Sequence, residues 1–278
     1  MYPELRRGDG GEAVRRLQDL LNKTGAMLAA DGTFGPGTAR AVKEACAEAG
    51  LPPADRADEA LWRWLEAAPE PSSDIPAEAV AFIVRHEVSS RVHYERHLQA
   101  PTDPGAESGV TIGIGYDLRF SDAARFQEDW GAELPGPVMA RLRPWLGRKA
   151  DARAIAGLRD LRVPFGAAWR VFCRAALPRG VADTRKAYPS LDSLPPLCRG
   201  ALVSLVYNRG GRLTDRPGRD SRREMGEIRR LLDTGGPEDL AVVPACFEAM
   251  KRLWPTLAGL RARRDEEAAM FRRGLESG

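Results

Sequence analysis

Two stretches carry carboxylates in positions that invite chemistry. In PAEAVAFIVRHEVSS (76–90), Val80, Ile83 and Val84 recur at helical spacing, and Glu87 follows at i+4 from Ile83 and i+3 from Val84. It therefore extends an apolar stripe. A glutamate so placed either reaches out to solvent, or to Arg85 or Arg91, or lies in an apolar pocket that keeps it protonated as a general acid. Position alone leaves both open. In GVTIGIGYDL (109–118), Val110, Ile112, Ile114 and Tyr116 alternate with Thr111, Gly113, Gly115 and Asp117. Alternation of this kind predicts one extended strand with an apolar face and a polar face. The two glycines would let a bulky ligand approach the backbone between Thr111 and Asp117. A protonated carboxyl facing an ionised one across a groove is the arrangement that cleaves glycosidic bonds, with a hydroxyl to orient the attacking water. A phosphate-cradling loop fits poorly, because no third glycine and no Lys-Ser/Thr pair follow.

The elements that must hold these groups are mostly helices. GEAVRRLQDLL (11–21) places Val14, Leu17 and Leu21 on one stripe. The turn-rich DGTFGPGT (31–38) leads to a second helix with Ala39, Val42 and Cys46 inward, and DEALWRWLEAA (58–68) presents Leu61 and Leu65, with Trp62 and Trp64 on other sides. AAPEPSSDIP (67–76) has three prolines, two serines and no apolar period, so it reads as an extended linker; Ser73 or Asp74 is the expected cap of the next helix. ALVSLVYNRGG (201–211) reads as a buried helix ended by Asn208 and the Gly210-Gly211 pair.

Composition excludes several classes. At 278 residues, 43% hydrophobic and 29% charged, the chain can bury a sizeable core. It has no apolar run near the ~20 residues that span a bilayer, so no stable membrane insertion is expected. MYPELRRGDGGEAV has no signal-peptide core, and synthesis in the cytoplasm is the expectation. Cys46, Cys173, Cys198 and Cys246 form no CxxC pair, and His86, His93 and His97 make no HExxH pattern, so neither a metal nor another cofactor is expected. Residues 1–70 carry 9 Lys and Arg against 12 Asp and Glu, which leaves 33 basic and 27 acidic residues to the remainder. That basic part suits a polyanionic partner, whether nucleic acid, anionic lipid or a cell-wall polymer, and equally an ordinary solvated helical surface.

Two resemblances organise these observations. LRRGDGGEAVRRLQDLLN followed by DGTFGPGTARAVKEA resembles the peptidoglycan-binding domain found at the ends of many bacterial and phage cell-wall enzymes. It covers about residues 1–66 and implies a wall contact at the DGTFG turn, with Asp31, Phe34 and Thr38, although Asp31 also shapes a turn and Phe34 also suits a core. RHE, GVTIGIGYDL, ALVSLVYNRGG, DSRREMGEIRRLL (220–232) and KRLWPTLAGLRARRDEEAAMF (251–271) resemble the phage-type lysozymes of glycoside hydrolase family 24, pesticin-like branch. The resemblance implies a mainly α, lysozyme-like domain with a short β-hairpin lobe over 78–278, joined by a linker at 67–77 to a three-helix bundle. It implies a muramidase whose acid is Glu87, whose second carboxylate is Asp117 and whose active-site threonine is Thr111, with Gly113, Gly115, Tyr116 and Asn208 meeting substrate. In the shorter phage lysozymes the second carboxylate precedes the threonine, so Asp103 and Glu107 compete with Asp117. Arg222 and Arg223 either face the glycan's carboxylates or line a solvated helix.

The expected protein is a monomeric peptidoglycan hydrolase with no nucleic-acid partner. A phage endolysin released to the host periplasm by a holin-type lesion is the first expectation. An injected antibacterial effector, a lytic transglycosylase and an inactive wall-binding protein are the rivals.

Overall fold

The apolar stripe of residues 11–21 becomes the first helix of a bundle with its own core. The computed structural model describes residues 2–105 and 107–277. In it α1 (Glu12–Asn22), α2 (Pro36–Glu48) and α3 (Glu59–Ala67) enclose Val14, Leu17, Leu21, Phe34, Val42, Cys46, Leu61 and Leu65. A two-stranded antiparallel sheet, β1 (Leu5–Arg6) with β2 (Arg56–Ala57), closes the chain ends of this bundle. Asp58 caps α3 by accepting a hydrogen bond from the Leu61 amide. Trp62 departs from expectation: it is buried, donates its indole N–H to the Pro3 carbonyl at 2.9 Å, and stacks on Tyr2. A bulky indole one position from the Leu61–Leu65 stripe is carried into the core because its only polar atom finds a partner there.

The segment expected as an extended linker carries its own hydrogen bonds. The Ser72 hydroxyl accepts from the Asp74 and Ile75 amides, Ile75 is buried, and Asp74 pairs with Arg185. Neither Ser73 nor Asp74 is a helix cap in this arrangement; the side chain that organises the turn is Ser72. The next helix, α4 (Ala77–Val88), begins after Pro76.

The chain divides into two compact units. The first joins the bundle, through Pro71, to residues 81–177, and the second takes residues 72–80 with 178–278. In the first, α4 is followed by α5 (Arg91–His93), which runs into a π-helical turn at Tyr94–Leu98. Then come the hairpin β3 (Thr111–Ile112) and β4 (Tyr116–Asp117), and the short helices α6 (Ala123–Trp130), α7 (Gly136–Leu142), α8 (Ala152–Leu158) and α9 (Phe165–Val171). In the second, α10 (Leu177–Ala187), α11 (Pro196–Arg209), α12 (Arg223–Thr234), α13 (Pro237–Ala249) and α14 (Ala258–Ser277) follow in order, with α14 packed on α11 and α13, and α13 on α12. The fold is mainly α, with two small antiparallel sheets among the described residues.

Charge is buried where α14 meets α11. Glu267 and Arg264 are wholly buried, and Arg263 nearly so. One Glu267 oxygen accepts from Ser204 at 2.6 Å, Arg264 at 2.8 Å and Arg263 at 3.3 Å. The Arg263-Arg264 pair is thus a structural feature of this unit. All four cysteines are free thiols; Cys46, Cys198 and Cys246 are buried and Cys173 is largely so. Among the described residues, no helix is long and apolar enough to cross a membrane.

Candidate active site

The stretch GVTIGIGYDL folds back on itself. It is a hairpin rather than the single strand its alternation predicts: Thr111 pairs with Asp117 and Ile112 with Tyr116 around a three-residue turn, Gly113-Ile114-Gly115. The two glycines are turn residues, with φ of +60° and +71°. That is backbone only glycine adopts without strain. The apolar alternation survives the turn, since Val110, Ile112, Ile114 and Tyr116 are all buried.

The expected vacancy over the glycines is absent at one and open at the other. A Cβ on Gly113 would lie 2.8 Å from the Trp130 ring and 3.3 Å from Ala168, so the backbone is already covered by protein. Gly115 has nothing within 4 Å and is exposed at the hairpin tip. Tyr116, expected against substrate, is buried edge-on to Trp130. Its hydroxyl donates to Asp129 Oδ2 at 2.8 Å and accepts from Ser121 at 2.9 Å. Gly113 and Tyr116 thus both pack against Trp130.

The pair that the hairpin does bring together is Thr111 and Asp117. Directly opposed residues of an antiparallel pair project to the same face, so the two share a face across the ladder and not along one strand. Asp117 is fixed by two backbone amides. Its Oδ1 accepts from the Gly109 amide at 3.0 Å and the Arg119 amide at 2.8 Å, and its Oδ2 from Gly109 at 3.1 Å. Gly109 must be glycine here, because a Cβ would fall 2.6 Å from the Asp117 carboxylate. Sequence reading missed Gly109; its signal was a third glycine two residues before Thr111. Thr111 exchanges backbone hydrogen bonds with Thr102, both at 2.9 Å, and its hydroxyl donates to the Gly109 carbonyl at 3.3 Å. Both side chains are half-buried.

Glu87 occupies the last turn of α4, half-buried, below the wholly buried Val80, Ile83 and Val84. The competing carboxylates are otherwise engaged. Asp103 is exposed and closes a turn by accepting from the Gly105 amide at 2.8 Å. Glu107 is exposed between Lys149 and Arg119, whose hydrogen bonds, and then their charges, hold its carboxyl below the usual glutamate range. Asn208 lies in the second unit at the end of α11, half-buried, and its Oδ1 accepts from Arg264 at 3.3 Å. Arg223 is exposed beside Asp220 and Glu224, and the Arg222 side chain contacts the Met225 sulfur. No cluster of three or more His, Cys, Asp or Glu suited to a metal occurs among the described residues.

In the bundle, Gln18 falls on the apolar stripe of α1 and reaches into the DGTFG turn. Its carbonyl accepts from the Gly32 amide at 2.8 Å, and its amide donates to Asp31 Oδ1 at 2.8 Å and to the Thr33 carbonyl at 3.0 Å. Phe34 and Thr38 are buried behind the turn, and Asp31 is the exposed residue of the three. Hydrogen bonds from Gln18 and the Thr33 amide hold the Asp31 carboxyl below its usual range. Gln18 was not singled out in the sequence, although its place at i+4 from Val14 is the same kind of signal as Glu87's.

This segment has a recognisable relative. Residues 10–65 match the family model described as a putative peptidoglycan binding domain. No curated protein matches the chain. Among solved structures, the chain is similar to the crystal structure of the Burkholderia AP3 phage endolysin, at 18% identity over 99% of this chain and 100% of that one, with a TM-score of 0.23.

Proposed function

We propose that the chain is a peptidoglycan hydrolase that joins a wall-binding segment (1–66) through residues 67–77 to a lysozyme-like catalytic domain (78–278). The proposed reaction is that of a muramidase: hydrolysis of the β-1,4 bond between N-acetylmuramic acid and N-acetylglucosamine. The match over residues 10–65 supports peptidoglycan as the partner. The observation that carries the reaction is the Thr111–Asp117 pair, in which backbone amides fix a half-buried carboxylate opposite a hydroxyl.

In the proposed mechanism Glu87 donates a proton to the leaving glycosidic oxygen. Asp117 supports the oxocarbenium-like centre or takes the proton of the attacking water, which the Thr111 hydroxyl orients. Held by two backbone amides, Asp117 needs no reorganisation as charge develops. Asp103 has the geometry of a turn residue and is assigned none of this work. Gly115, exposed at the hairpin tip, and Asn208 are proposed to meet substrate, Asn208 at an N-acetyl group. In a phage such an enzyme would serve as an endolysin, acting in the host periplasm after holin-type release. An injected effector would use the same chemistry.

The test is mass spectrometry of digested sacculi. Reducing muramic-acid ends are expected from the wild type, and a loss of at least a hundredfold in rate from Glu87→Gln and from Asp117→Asn, with Asp103→Asn near wild type. Anhydro ends would make the protein a lytic transglycosylase, cleaved stem peptides would remove the glycosidase reading, and inactivity of Asp103→Asn alone would move the second carboxylate to Asp103.

A further inference from the structure

A groove of about 800 Å³ opens within the first unit, between the bundle and the helices that follow it. Trp64 of α3 and Glu44 of α2 form one wall; Arg91, Phe165 and Trp169 form the other. We propose that this groove binds a neutral stretch of the wall's glycan strand, with a sugar ring on the face of Trp64, as a site separate from the hairpin carboxylate. The proposal rests on the reading that the protein acts on cell wall.

Size comes first. Clefts that enclose small ligands run from about 300 to 1,000 Å³ and favour seams of this kind, so the space suits a few pyranose rings. The lining is the second observation. Trp64 is half-buried and leaves part of its indole in the groove. Opposite, Phe165 and Trp169 stack with centroids 6.4 Å apart, and the Arg91 guanidinium lies 5.2 Å above the Phe165 ring. Aromatic faces cover the C–H faces of a sugar, and planar carboxylate and guanidinium edges bind its hydroxyls and amides.

Charge decides between ligand classes. Each cation at the groove already has an acidic partner: Arg91 with Glu44 at 3.5 Å, Lys23 with Glu70 at 2.6 Å and Arg170 with Glu133 at 2.8 Å. A groove neutralised in this way exerts little pull on a polyanion, and it suits an uncharged polar polymer. The walls are also held to one another. Gly25, with φ of +86°, has its missing Cβ 2.9 Å from the Trp169 ring and 3.0 Å from Phe165. The link after α1 therefore sits directly on the stacked pair, and a groove formed in advance binds with less ordering cost.

Binding is measured on the full chain in the Glu87→Gln background, so that the wall is not consumed. The probes are intact sacculi, by cosedimentation, and uncharged N-acetylglucosamine oligomers, by calorimetry. Trp64→Ala should weaken binding to the uncharged oligomers at least tenfold, Glu44→Gln severalfold, and Trp64→Phe little. Oligomers that bind Trp64→Ala and Glu44→Gln as tightly as the parent would overturn the site. So would binding of intact sacculi with none of the uncharged oligomers. A wild type that cleaves no glycosidic bond yet loses glycan binding on Trp64→Ala would fail the proposed reaction and leave the groove standing.

Discussion

The two hairpin glycines illustrate how similar residues can carry different loads. Both have positive φ, so alanine at either strains the backbone by about 1 kcal/mol or somewhat more. At Gly115 that strain is the whole effect, because the added methyl meets nothing. At Gly113 the methyl also collides with Trp130, itself wholly buried and unable to retreat without opening the core. Gly113→Ala is therefore expected to lower the melting temperature by at least twice as much as Gly115→Ala. Equal shifts in a calorimetric scan would contradict the packing described. A second residue-level expectation concerns Glu267. Replacing it with Ala leaves Arg263 and Arg264 buried without their shared acceptor, a change that costs about 3–5 kcal/mol at comparable sites. Denaturant unfolding of the variant would measure it.

At the scale of elements, the DGTFG turn of the bundle is tied to α1 by a polar side chain, Gln18. Gln18 satisfies the Gly32 amide from inside and shares the Thr33 carbonyl with the Thr38 hydroxyl, so Gln18→Leu strands the Gly32 amide and should destabilise the turn by about 1–3 kcal/mol. Sacculus binding should fall while cleavage of short soluble fragments persists; unchanged binding would separate the turn from wall recognition. This dependence also marks where the sequence was legible and where it was not. Helical period revealed the stripes of α1 and α4, because burying one face of a helix leaves a 3.6-residue signature. The hairpin was hidden because alternation looks the same in a straight strand and in one folded about a three-residue turn. Thr111 and Asp117 were placed on one face correctly, but for the wrong geometric reason. Gly109, Gln18 and Trp62 act through hydrogen bonds or contacts with residues distant in sequence, or through a close approach, and a periodicity leaves no trace of those. The contacts of residues 72–75 were illegible for the same reason, since Pro and Ser composition says nothing of a Ser72 hydroxyl closing a turn or of Asp74 meeting Arg185.

For the whole molecule, the thiols give a pH-dependent expectation. Burial pushes the Cys173 and Cys198 thiols up to about 12 and Cys246 up to about 11, and raises Cys46 as well. A raised thiol stays neutral as pH climbs, and only the thiolate reacts. Native protein at pH 8 should therefore consume almost no iodoacetamide, with labelling rising as pH approaches 11, whereas denatured protein labels at four sites. Rapid labelling at pH 8 would show that the helices around these positions open readily. The shielding bears on where such a chain can work. With thiols neither paired nor exposed, the folded state asks nothing of its redox surroundings. Moved from a glutathione-rich compartment to an oxidising one, it would keep the same covalent structure, with no disulfide to form before it acts and none to lose afterwards.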